Sequence, residues 1–154
     1  MSNFILNPRL VTATLPVGDL TLCRVLLMDD TRYPWLLLVP RLPDVEELWD
    51  LTPADRTLLI EEIATAAEVI RDMFDVSRIN SADIGNRAPQ MHIHVVGRTT
   101  SDAAWPKVVW SRPYEHWSDE TAFRDRQRLF QEAFRQRAIL SPIDSHTDPG
   151  VAKL

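Results

Sequence analysis

The chain has 154 residues, 45% of them hydrophobic and 25% charged, with a formal net charge of −5 and a pI near 5.3. That length buries a core without staples and fits a single domain. The acidic balance argues against nucleic acid and anionic membranes as partners, since both are met by basic surfaces, and the single cysteine, Cys23, excludes an internal disulfide.

Residues 4–9 read as an arm ending near Pro8. The alternation of residues 10–15 around Thr12 and Thr14 predicts a first strand, Pro16-Val17-Gly18-Asp19 a turn, and residues 20–28 a second strand completing a hairpin. Residues 35–39, Trp-Leu-Leu-Leu-Val, are apolar throughout, as in a strand covered on both faces, and Pro40 ends it. A short helical turn is expected over residues 43–49.

Thr52-Pro53-Ala54-Asp55 supplies a cap, a proline at the first helical position and an early acid. A long helix follows, with Leu59, Ile63, Ala66, Ile70 and Phe74 on one stripe and Glu61, Glu62, Glu68, Arg71 and Asp72 on a solvated face. Residues 78–84 form a weaker strand candidate, residues 85–89 a loop, and residues 108–110 a short extension. Ser118-Asp119-Glu120 caps a second helix carrying Phe123, Phe130 and Phe134 on one side. Residues 141–154 have the composition of a loose tail, docked on its own domain or on a second subunit. No apolar run approaches the roughly 18–20 residues of a membrane span, and no secretory signal is visible, so a cytoplasmic location is expected.

Residues 90–98, Gln-Met-His-Ile-His-Val-Val-Gly-Arg, alternate with a period of two. As a strand they place Gln90, His92 and His94 on one face and Met91, Ile93 and Val95 on the other. Folding does not ask for two imidazoles there, because Val or Thr would pack with better strand propensity. Three readings stay open on the residues alone. The pair could be two satisfied strand histidines. It could hold a metal, with Asp83 or His116 as a third ligand. Or a neutral imidazole could attack phosphorus, with Gly85, Asn86 and Gln90 donating hydrogen bonds to the phosphoryl oxygens. Of seventeen basic residues only Lys107 and Lys153 are lysines, and arginine suits bidentate contact with a small phosphorylated ligand.

The run from Gln90 to Val96 resembles the motif of the histidine triad (HIT) family, which alternates three histidines with apolar residues on one strand. The apolar strand ending Leu38-Val39-Pro40-Arg41, the long helix, Asn80, the Gly85 loop and Trp105-Pro106 fall in the family's order, so the resemblance covers most of residues 4–110. Arg32-Tyr33-Pro34-Trp35 and Asp102-Ala103-Ala104-Trp105-Pro106 are similar to a bacterial subgroup described as dinucleoside polyphosphate hydrolase-like.

The resemblance implies an α+β fold, with about five antiparallel strands, one long helix packed on them and an additional C-terminal helix. Residues 1–110 would form the HIT-like unit and residues 111–154 a helix and tail of the same domain. It implies a homodimer, a small-molecule nucleotide as ligand, and no cofactor or bound metal. It makes His92 the nucleophile that forms a nucleotidyl-histidine intermediate and His94 a phosphate contact that helps the leaving group, with Gln90 in place of the first triad histidine. Asn80 would sit near the phosphate, with Gly85 and Asn86 beside it, Asp29 or Asp30 would bind ribose, and Arg87 takes the place of a leaving-group Ser or Thr. Trp35 stands where many members have a further histidine. The expected activity is hydrolysis at the α-phosphorus of dinucleoside polyphosphates or nucleoside phosphoramidates. The alternative is a nucleotide-binding module with little catalysis.

Overall fold

The structure, a computed structural model, describes residues 4–137 and 139–143. Asn7-Pro8 opens the first element: the Asn7 side chain accepts the Arg9 N–H at 3.0 Å, Pro8 takes the first helical position, and helix α1 spans Pro8–Ala13. The strand expected over residues 10–15 is thereby corrected. Cap and proline outweigh the threonine alternation, and strand β1 spans Thr14–Asp19. The expected turn at residues 16–19 lies inside β1, where a bulge between Pro16 and Gly18 carries the proline through an edge strand. The chain reverses at residues 20–22 and enters β2, Cys23–Met28. β3 follows as Trp35–Pro40, and a 3₁₀ turn, Leu48–Asp50, occupies part of the region where a helical turn is expected.

Helix α2 spans Pro53–Met73, with the Thr52 hydroxyl accepting the Asp55 N–H at 3.1 Å. Leu59, Ala66 and Ile70 are buried along the expected stripe, and Ile63 and Phe74 pack at its margin. The expected solvated face needs one correction. Glu62 is only 6% exposed, and its carboxylate accepts the N–H groups of Leu22 and Cys23 at 2.7 and 2.9 Å. It satisfies two backbone donors where the β1–β2 turn has no ladder partner, which is what allows a carboxylate to be buried there. Burial and this carboxylate push the Cys23 thiol up, out of the range in which it would ionise.

Strands β4, Arg78–Asp83, and β5, Ile93–Arg98, complete an antiparallel sheet in the order β1-β2-β3-β5-β4. The chain runs from α2 to the far edge and returns to insert β5 beside β3, so the histidine strand is central. Leu36, Leu38, Ile93 and Val95 face the cluster that includes α2, while Trp35, Leu37 and Val96 face a second cluster on the opposite side. A Cβ added at Gly97 would lie 2.8 Å from Ile70 Cγ2 and 2.7 Å from Pro34 Cγ, so the missing side chain lets α2 settle directly on β5.

Residues 108–110 do not extend: a 3₁₀ turn spans Val109–Ser111, tied by the Ser111 hydroxyl to the Val108 carbonyl at 2.7 Å. Helix α3, Glu120–Gln136, begins at the Asp119 cap and buries Phe130 and Phe134 in the α2-side cluster. Past α3, Ser141 exchanges backbone hydrogen bonds with Asp19 at 2.8 and 3.0 Å. Residues 144–154 of the expected tail lie outside the described residues. No helix among the described residues is long and apolar enough to cross a membrane.

Candidate active site

The period of two holds from β5 outward but not to the start of the motif. Met91, Ile93 and Val95 belong to the α2-side cluster, as expected, and His94 lies on the other face between Leu37 of β3 and Ala82 of β4. Residues 90–92 precede the ladder, with the Met91 N–H donated to Val45 rather than to a sheet neighbour. His92 and His94 are each 5% exposed, their ring centroids 5.2 Å apart.

Each imidazole is held by a partner that leaves no choice of tautomer. His92 Nδ1 lies 2.7 Å from the Gln90 carbonyl oxygen, which can only accept, so Nδ1 carries a hydrogen and, in the neutral ring, the lone pair is on Nε2. His94 Nδ1 lies 3.0 Å from Trp35 Nε1, which can only donate, so this ring carries its hydrogen on Nε2. Burial, and secondarily the neighbouring His92, lower the His94 pKa to about 3, against an opposing hydrogen bond to the Ile84 backbone. Burial raises the nearby Asp83 carboxyl, with His92 acting in the opposite sense.

Both histidines line a cavity of about 960 Å³. Arg9 of α1, Arg87 of the loop and Arg112 past Ser111 stand around it, and no carboxylate belongs to its described lining. In a chain of net charge −5, this concentrates cation where an anion can be met by arginine forks. The Arg9 guanidinium donates to the Arg87 carbonyl at 2.6 Å, tying α1 to the loop. Trp110 and Tyr114 supply an aromatic wall: Trp110 meets His94 edge-on, with centroids 5.2 Å apart, and its indole N–H is buried with no acceptor among the described residues.

The expected site residues divide on this geometry. His92, His94, Asn86 and Arg87 line the cavity together. The Gln90 side chain points elsewhere: its Oε1 accepts the Asn7 N–H at 2.8 Å and its Nε2 donates to the Ile5 carbonyl at 3.0 Å, beside a smaller pocket of about 280 Å³. What Gln90 presents to the histidines is its backbone carbonyl. Asn80 accepts from Arg98 at 2.7 Å, in a buried cluster where the Arg98 guanidinium also grips Asp102 at 2.7 and 2.9 Å. Burial alone would raise the Asp102 carboxyl, but the Arg98 guanidinium and the Ala104 and Thr99 N–H groups together hold it below its usual range. Gly85 lies between lining residues Ile84 and Asn86 without lining the cavity itself.

Asp29 accepts from His116 Nδ1 and from the Trp117 N–H, both at 2.9 Å. Asp30, 1% exposed, accepts from the Arg32 guanidinium at 2.6 and 3.0 Å and from the Glu115 N–H at 3.3 Å. Neither aspartate lines the cavity; together they clasp residues 115–117 against the β2–β3 turn. Of the two residues weighed as a third metal ligand, His116 is thus engaged with Asp29, and no described group of three His, Cys, Asp or Glu side chains converges.

Arg9, Trp110, Arg112 and Tyr114 were not marked by the motif. The surplus of arginine over lysine was the available signal for two of them.

Known proteins with this geometry give the family. Residues 10–101 match the HIT domain. Over 81 residues the chain is 30% identical to the bis(5′-nucleosyl)-tetraphosphatase [asymmetrical] of Schizosaccharomyces pombe, a match spanning 49% of this chain and 44% of that protein. The crystal structure of a histidine triad protein from Bradyrhizobium japonicum aligns with a TM-score of 0.78 at 36% identity, covering 84% of this chain and 97% of that one. A histidine triad protein from Marinobacter aquaeolei VT8 aligns with a TM-score of 0.80 at 33% identity, covering 86% and 97%. Through its central strand, its paired histidines and its matched residues, the chain belongs to the HIT family.

Proposed function

We propose that the protein is a nucleotide hydrolase that transfers a nucleotidyl group from the α-phosphorus of its substrate to His92 and then to water. The observation that carries this reading is the Nε2 of His92 beside an arginine-lined cavity with no carboxylate among its described lining residues. A hydrogen on Nδ1, held by the Gln90 carbonyl, leaves the lone pair of a neutral imidazole free for attack near neutral pH. The carbonyl also stabilises the ring as it gains positive character on bonding to phosphorus. In this reading His94, Asn86 and Arg87 hold the phosphoryl oxygens and the leaving group, and Arg9 and Arg112 hold further phosphates; that all five line the one cavity supports it. The name of the Schizosaccharomyces pombe relative supports a dinucleoside polyphosphate as substrate. The reading includes a homodimer formed in solution, which sedimentation tests separately.

Hydrolysis of diadenosine tetraphosphate in ¹⁸O-water tests the reaction. Attack at the α-phosphorus places the label in the adenosine monophosphate; label found only in the triphosphate product contradicts it. Tight nucleotide binding with no turnover would instead support the binding-module reading, which the commitment of the Gln90 amide to the backbone of Ile5 and Asn7 favours.

A further inference from the structure

The two imidazoles sit in opposite tautomers, and the partner of the second, Trp35, is one of the residues that depart from the family pattern. An imidazolium at His94 would set its Nδ1–H head to head with the Trp35 indole N–H at 3.0 Å. Trp35 cannot easily yield: it is fully buried on β3, edge-on to both Tyr33 and Trp110 at 6.2 and 5.8 Å between centroids. The other groups facing this cavity reinforce the exclusion of a second proton. Arg9 of α1, Arg87 of the loop and Arg112 past Ser111 are cations, and His92, Tyr114 and His116 bring no fixed negative charge. Asp83, at the end of β4, is a carboxyl that interacts with His92.

We infer that Trp35 is a positioning residue that fixes His94 as a neutral Nε2–H donor, and that this limits the site to leaving groups that depart as anions. The inference rests on the proposed nucleotidyl transfer to His92 and names the substrate class that this site accepts. In the first step the His92 Nε2 lone pair forms a bond to the α-phosphorus. The bridging P–O bond breaks, and its electron pair leaves with the oxygen of the departing phosphate. That oxygen is already a stable anion and needs a hydrogen bond rather than a proton, and the His94 Nε2–H, which otherwise meets the Ile84 backbone, is shared with it. In the second step a water oxygen bonds to phosphorus, the P–N pair returns to His92 Nε2, and the surplus proton goes to solvent. An amine leaving group is different. Its nitrogen must be protonated as the P–N bond breaks, and a neutral imidazole is too weak an acid to do that. An imidazolium would serve, and the indole of Trp35 opposes it.

Nitrogen-15 NMR of the histidine rings, followed from about pH 5 to 8 where an ordinary imidazole titrates, reads the tautomer without any substrate. The expected result is a His94 resonance pair of the neutral Nε2–H form throughout. A His94 that carries hydrogen on Nδ1, or that titrates in this range, overturns the inference. Kinetics read the consequence: the wild-type protein should hydrolyse diadenosine tetraphosphate in strong preference to adenosine 5′-phosphoramidate. Trp35→His, which can accept as well as donate, should raise kcat/KM for the phosphoramidate relative to the tetraphosphate by about tenfold or more. An unchanged ratio in a folded Trp35→His protein, or equal use of both substrates by the wild type, overturns it. Trp35→Phe, which deletes the donor, should release the tautomer, so that the same spectra show an Nδ1–H form of His94, while burial still keeps the ring neutral. If that core substitution prevents folding, the wild-type spectra and substrate ratio still decide. Should the wild type hydrolyse neither substrate, the proposed function and the leaving-group limit fall together, while the spectra still decide the tautomer.

Discussion

The two faces of the central sheet solve burial in different ways. Towards α2, β3 and β5 present Leu36, Leu38, Ile93 and Val95 to Leu59 and Ile70, and the contacts are apolar. On the opposite face the same two strands bury Trp35, His94 and Arg98, whose polar atoms meet specific partners: indole to imidazole, and guanidinium to Asp102 and Asn80. An apolar face tolerates any side chain of the right volume. A buried polar face tolerates only matched donors and acceptors, because an orphaned one forfeits its hydration. Function sits on the second face because matched partners fix protonation as well as position.

Substitutions on the two faces should therefore fail in different ways. The largest effect is expected from His92→Ala, which removes the nucleophile: steady-state hydrolysis should fall by about 10³-fold or more, with the melting temperature nearly unchanged. Arg98→Ala leaves the Asp102 carboxylate buried without its cation and takes a partner from half-buried Asn80, and denaturant titration should show a loss of about 3–5 kcal/mol. On the apolar face, Ile70→Ala should cost about 2–5 kcal/mol through its cavity, while kcat/KM of the folded fraction stays near wild type. If Ile70→Ala depressed kcat/KM as strongly as it depressed stability, the separation of the faces would fail.

Gln90→Ala should cost less, about 1–3 kcal/mol, because two backbone groups of residues 5 and 7 lose their partner while the Gln90 carbonyl stays in place. The last effect is graded rather than all-or-none and concerns pH. The His94 pKa is about 3 in the folded protein against an unfolded value near 6.5. Between these values the unfolded chain binds the proton and the folded one does not, so stability falls as pH drops through that window. Urea titrations at a series of pH values should show this slope in the wild type and a flatter one in His94→Gln.

How much of this was legible depends on how far apart the interacting residues lie. The period of two in residues 93–98 and the Thr52-Pro53 cap are local signals, and both gave correct elements. Asn7-Pro8 was an equally local cap, but the Thr12 and Thr14 alternation concealed it. The direction of the Gln90 side chain was not legible, because periodicity assigns a face and its partners are 83 and 85 residues away. The same holds for Asp29 and Asp30, expected to contact ribose, whose partners at residues 115–117 lie 85 to 88 residues away. Trp35 was conspicuous as a residue type, yet only the pairing of β3 with β5 brings its donor to His94.

The central claim is that His92, held with its hydrogen on Nδ1, is the atom that receives the nucleotidyl group. Acid-free rapid quenching of the protein with diadenosine tetraphosphate, followed by mass spectrometry of its peptides, tests this most directly. The account predicts an adenylyl group on the peptide containing His92, absent in His92→Ala. Efficient hydrolysis with no adduct at any quench time, or an adduct on His94 instead, would contradict it.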